Sequence, residues 1–228
     1  MTFYKRPEHT QASIEISGNA DAGNIKGSFV ADSSGYEGIA HVSSAPMNPS
    51  KHTYKYKLPY KFVGELSLDS KVLLSCNTST PCLGIHDNAR GFFPYASRWI
   101  WGSSMFNTGE HEVALNFGFS HDNPHGSFDA LIVDGKLYKL DPLLLTEVDD
   151  DHWEWTRGST TKHKNTINLK FKRAHNHSIG TNFLVYNIDL SSNFGYFSGE
   201  IQIQNGKETK TIKFNDVFGF IEDFHARW

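Results

Sequence analysis

EIQIQNGKETKTIKF, residues 200–214, is the stretch from which the fold class is read. Ile201 and Ile203 alternate with polar residues, and Ile212 and Phe214 resume the alternation after Asn205-Gly206. A period of two puts apolar side chains on one face of a strand, whereas a helix would need them three and four apart. Asn-Gly readily takes left-handed backbone conformations, so the segment predicts a β-hairpin with a type I′ turn. Asp134-Gly135, between ALIV and KLYKL, repeats the signal.

The same alternation recurs outward from this hairpin, as SIEIS at 13–17, ELSL at 65–68 and TINLKFK at 166–172. Aromatic residues make up 14% of the chain, and wide rings suit a pleated, half-buried surface. No amphipathic helix, GxGxxG, P-loop or short repeat is visible. Many strands with turns between them predict an all-β antiparallel barrel or sandwich with little helix. The chain's 228 residues are enough to bury a substantial core. The Pro- and Ser-rich SSAPMNPSKH, Ser43–His52, reads as a loop or boundary. It divides an N-terminal part, residues 1–50, from a main β domain, residues 51–228. The first dozen residues read as an unstructured arm.

A formal net charge of −3 gives no basis for a nucleic-acid partner. No window is apolar enough to span a bilayer, and MTFYKRPEHTQAS contains no leader-like apolar stretch. The expectation is a cytoplasmic protein in which Cys76 and Cys82, in CNTSTPC, are free thiols. The glycosylation patterns at Asn77 and Asn176 are then accidental.

HDNARGFFPYASRWIWGSSMF, 86–106, carries the least ordinary chemistry. On a strand, Trp99 and Trp101 share one face, and Arg98 and Ile100 the other. Two indoles side by side form an apolar wall with N–H donors, suited to a core or to a small-molecule cavity. Asp87 and Arg90, placed in a turn containing Gly91, read as a bidentate pair or as a general acid or base beside an anion stabiliser. His121 and His125 are one close pair, and His175 and His177 another. A metal needs three or four converging ligands, so no metal and no cofactor are expected. EVDDDHWEW, 147–155, reads as a solvated acidic turn, because paired glycosidase carboxylates would need a fixed separation. Ser103-Ser104 has no nucleophile elbow around it.

The run HDNARGFFPYASRWIW resembles the family known as domain of unknown function 2804, in its Asp, Arg-Gly, Pro-Tyr-like step and Trp-x-Trp. These fall on Asp87, Arg90-Gly91, Pro94-Tyr95 and Trp99-x-Trp101. Further likenesses follow in order at Asn116 and Gly118, in VDGKLYKLD (133–141), at Trp153, in FGYFSGEI (194–201) and in GFIEDFHARW (219–228). Upstream, Tyr54 and Lys57 match a Tyr-x-x-Lys step. The matched motifs span roughly residues 50–228, and Glu222, His225 and Trp228 carry over with them. The chain departs at Phe128-Asp129, where the family usually has Glu-Asn, and at Lys55, where it has Asn. The resemblance also implies that the chain is short of the family's N-terminal β region. The family is similar in style to lipocalin-like proteins, including carotenoid hydratases and tocopherol cyclases. The resemblance therefore implies barrel-like units around an apolar cavity, and no particular reaction.

These observations leave four readings. The first is a carrier of a small apolar molecule, with Trp99, Trp101, Arg90, Tyr95, Asn116, Tyr54 and Lys57 around the ligand. The second is a cofactor-free lyase, hydratase or cyclase acting on an unsaturated apolar substrate, with Asp87, Glu222, His225 and Asp129 as candidate acids and bases. It requires at least two of those four to face the cavity of Trp99 and Trp101. The third is a carbohydrate-binding β-sandwich with rings in a shallow groove. The fourth is an incomplete unit that self-associates or needs an N-terminal partner domain, with an open sheet edge or an apolar patch to show for it. GFIEDFHARW adds a constraint. Glu222 and His225 are three apart, so one site can hold both only if the strand bulges or ends between them.

Overall fold

Alternation in sequence becomes alternation in burial. Ile167, Leu169 and Phe171 are buried, while Asn168 and Lys170 between them are exposed. The computed structural model describes residues 2–5, 10–20, 23–45, 48–120, 129–157, 164–183 and 185–227. Among these residues there are strands and no helix: β1 (Thr2–Lys5), β2 (Gln11–Ala20), β3 (Gly23–Asp32), β4 (Ile39–Ala45), β5 (Asn48–Leu68), β6 (Lys71–Cys76), β7 (Cys82–Gly91) and β8 (Ala96–Asn107). They continue as β9 (Glu112–Ser120), β10 (Ala130–Val133), β11 (Lys136–Lys139), β12 (Leu143–Asp149), β13 (His152–Arg157), β14 (Thr166–Phe183), β15 (Tyr186–Asn205) and β16 (Glu208–Arg227). The chain divides into two compact units, Met1–Tyr36 with Leu58–His86, and Glu37–Lys57 with Asp87–Trp228.

In the first unit β1, β2, β3, the second half of β5 and β6 pair in that order, all antiparallel. Ala12, Phe29, Ala31, Leu58, Tyr60 and Cys76 are its buried apolar residues. Thr2–Lys5, expected within an unstructured arm, pair with residues 12–15. The free thiols expected at Cys76 and Cys82 are a disulfide instead, with Cα atoms 5.4 Å apart. The cause is local. Asn77 Oδ1 accepts hydrogen bonds from the backbone N–H groups of Ser79 and Thr80, which folds the intervening loop back on itself.

The second unit contains one nine-stranded antiparallel sheet, in the order β11-β10-β9-β8-β16-β15-β14-β13-β12. Phe117 on β9 and Trp155 on β13 are five strand spacings apart, about 24 Å in a flat sheet. Their ring centroids lie 5.0 Å apart, so the sheet is rolled around its own apolar face. That face is the core, with Leu115, Leu131, Phe171, Phe197, Ile201 and Ile221 among its buried residues. No ladder joins β11 to β12 among the described residues. The all-β antiparallel expectation is met by an open, rolled sheet and not by a closed barrel. Residues 43–52, read as a loop, lie mostly in the β4–β5 hairpin, which carries the first half of β5 into this unit.

Both predicted hairpins form, with one change of turn. Asp134 and Gly135 are left-handed at φ 51° and 83°, as a type I′ turn needs. In the other hairpin Asn205 pairs with Glu208, so the loop residues are Gly206-Lys207. Gly206 has φ 63° and Lys207 is not left-handed, which is the type II′ pattern with glycine first.

Candidate functional site

Three strands bring the site's rings and acid together. On β8, Trp99 and Trp101 lie on one face, opposite the strand's packed Ile100. Neighbouring β16 runs antiparallel with Phe224 against Trp99 and Glu222 against Trp101. Phe224 stacks on Trp99 at 3.9 Å, and Phe220 meets Trp101 edge-on at 4.8 Å. Glu222 reaches diagonally, and its Oε1 accepts a 2.8 Å hydrogen bond from Trp99 Nε1. On the other side of β8, the buried Asn116 of β9 accepts from Trp101 Nε1 at 2.9 Å. Both indole donors are thus satisfied, and both ring planes are held.

β5 places a lysine over each indole. Lys55 and Lys57 are two residues apart and share a strand face. Lys57 Nζ lies 3.3 Å from the Trp101 ring centroid and 3.1 Å from Asp87 Oδ2, and the residue is only 5% exposed. Lys55 Nζ lies 5.6 Å from the Trp99 ring centroid. Burial penalises the ammonium and lowers the Lys57 pKa from 10.5 to about 8. Asp87 opposes the shift by charge and hydrogen bond, Lys55 adds to it, and Glu222 weakly opposes it. Between these groups lies a hollow of about 120 Å³, lined by Trp99, Trp101, Phe93, Lys57, Asp87 and Glu222 among others.

The structure gathers Trp99, Trp101, Asn116, Lys57, Asp87 and Glu222, and places the other candidates elsewhere. Asp87 does not pair with Arg90. The segment read as a turn is the end of β7, and two positions three apart on a strand point to opposite faces. Asp87 meets Lys57, while the Arg90 guanidinium lies 5.3 Å from the Tyr54 ring. Tyr54 is next to Lys55 in the strand and so faces away from it. Tyr95 is 60% exposed and donates its hydroxyl proton to Val185 O. Asp129 is buried, and its carboxylate accepts from Gly118 N at 2.9 Å and Leu143 N at 3.0 Å, tying β9 to the start of β12. β16 pairs with β15 and β8 without a register shift through residues 219–227, so no bulge turns His225 toward Glu222. His225 instead sits 3.1 Å from Asp223, on the face that also carries Arg98.

Five pocket residues, Lys55, Ala89, Phe93, Ile100 and Gly118, are not among the expected site residues. Lys55 had a signal, its same-face spacing from Lys57. Phe93 lies between β7 and β8, where no alternation exists to orient it. The acidic turn is solvated as read. Asp149 accepts from Asp151 N–H and lies 2.7 Å from His152, whose hydrogen bond is the main cause of its lowered pKa. His121, His125, Phe128 and Trp228 lie outside the described residues.

Fold and site together define an antiparallel β protein whose second unit holds a small tryptophan-walled pocket with a buried lysine and two carboxylates. The chain matches the family described as Domain of unknown function (DUF2804) over residues 1–228, and it belongs to that family. The match includes the first fifty residues, beyond the stretch covered by the motifs. No curated protein and no solved structure matches the chain.

Proposed function

We propose that the second unit binds a small, largely apolar molecule in the Trp99–Trp101 pocket. The observation that carries this reading is the hollow itself, whose aromatic walls are fixed by hydrogen bonds from both indoles. Its volume of about 120 Å³ is close to that of an engineered apolar cavity, about 150 Å³, that takes up benzene. A ligand of that size, or one end of a longer one, fits. Trp99 is covered by Phe224, and Lys57 lies over Trp101, so neither of these two rings offers an open platform for a sugar face.

One observation favours acid–base chemistry on the same ligand. Asp87 and Glu222 both line the pocket, so two of the four candidate acids meet the tryptophans there. A carboxyl beside apolar walls can give a proton to, or take one from, an unsaturated ligand, as a cofactor-free lyase, hydratase or cyclase requires. The test is a toluene titration followed by tryptophan fluorescence, repeated on Ala89→Phe, which adds a ring at a pocket-lining position. A saturable change that disappears in the variant is expected. A non-saturating response, or one that the variant leaves intact, refutes the reading.

A further inference from the structure

We infer that the pocket's substrate class is a small neutral aldehyde or ketone, which Lys57 Nζ captures as an imine. This rests on the pocket reading above and names its ligand. Charge supplies the first argument. Lys55 and Lys57 face the pocket together with Asp87 and Glu222, so while Lys57 is protonated, as it mainly is at pH 7, cations and carboxylates balance. An anionic ligand would lie against two carboxylates and a cationic one against two ammonium groups. A neutral molecule meets neither penalty.

Geometry supplies the second. A lysine becomes a nucleophile when it is desolvated in an apolar pocket or set beside another cation, and Lys57 has both conditions. It is buried against the Trp101 ring, and Lys55 is two residues away on the same strand face. Burial and Lys55 favour the free amine, while Asp87 and Glu222 oppose that shift. Asp87, 3.1 Å from Nζ, is within reach to move the protons of the reaction.

The step balances without a co-reactant. The Nζ lone pair attacks the carbonyl carbon, forming the C–N bond, and the carbonyl oxygen takes up the proton lost from nitrogen. The resulting carbinolamine gives up its hydroxyl as water on protonation by a carboxyl. Nitrogen then loses its remaining proton, which restores that acid. The products are the imine and one water.

The experiment treats the whole chain with benzaldehyde and sodium cyanoborohydride at pH 7, followed by intact-mass measurement and peptide mapping. An amine of pKa about 8 has far more free base at pH 7 than an ordinary lysine, so labelling at Lys57 should be at least about tenfold faster. Peptide mapping should find a benzyl group at Lys57 well before the exposed Lys170 and Lys213 react, beside the label that the α-amino group takes up at a similar pKa, and Lys57→Arg should remove the Lys57 label alone. Toluene, which has no carbonyl, separates the two claims. Saturable toluene binding with label only on the α-amino group and exposed lysines overturns the imine and leaves the pocket standing. Failure of both toluene and benzaldehyde to bind removes the pocket reading, and the imine with it.

Discussion

Replacing Lys57 with methionine deletes an ammonium group and keeps an unbranched side chain that can fill the same space. The ammonium is costly where it sits, because burial lowers its pKa from 10.5 to about 8. At about 1.4 kcal/mol for each tenfold change in proton affinity, that gap corresponds to about 3 kcal/mol. The sign follows from proton counting. Between pH 8 and 10.5 the unfolded chain holds a proton on Lys57 that the folded chain has released, so stability rises with pH across that window. Below pH 8 both states are protonated and the folded state carries the whole penalty. Asp87, left alone by the substitution, keeps a side chain 31% exposed and remains hydrated. Lys57→Met should therefore be at least as stable as the wild type at pH 7. Urea denaturation of both proteins at several pH values from 7 to above 10.5 is the assay. Groups that do not interact with Lys57 behave alike in both proteins and largely cancel in the difference. The wild type should gain about 3 kcal/mol on the variant between pH 8 and 10.5. A flat difference would refute the reasoning, because it would mean that Lys57 keeps its usual proton affinity in the fold.

Trp99→Phe removes the donor to Glu222 Oε1 but keeps a ring to stack on Phe224, so urea denaturation should show a loss of about 1 kcal/mol. Asp129→Asn should cost about 2 kcal/mol in the same assay, since an amide offers one oxygen acceptor where the buried carboxylate serves two backbone N–H groups. The double substitution Cys76→Ser, Cys82→Ser opens a short loop and should cost about 2 kcal/mol. Non-reducing mass spectrometry of the wild type should show two hydrogens fewer than the reduced chain. Gly102→Ala should be destabilising by about 1–3 kcal/mol, seen as a lower Tm, because its new methyl group would collide with the Phe117 ring in the core.

Much of the pocket's chemistry was legible in the chain, because strand parity is a local property. It put Trp99 and Trp101 on one face and separated Glu222 from His225. Parity also separates Asp87 from Arg90, because the segment that holds them is a strand and not a turn. Parity cannot say which strand lies opposite. Lys57 and Asp87 are thirty positions apart, and Trp99 and Glu222 more than a hundred, so their meeting depends on pairing between distant strands and on what packs over them.

By itself the sequence determined an all-β antiparallel chain, its two hairpins and the faces of its longest strands, since alternation, Asn-Gly and Asp-Gly act over a few residues. Only the tertiary structure decided that the nine-stranded sheet rolls up without closing, that Asp129 serves two backbone groups and not the pocket, and that a buried lysine faces the tryptophans. Each of these depends on which distant groups share one desolvated space, and desolvation is a property of the packed fold.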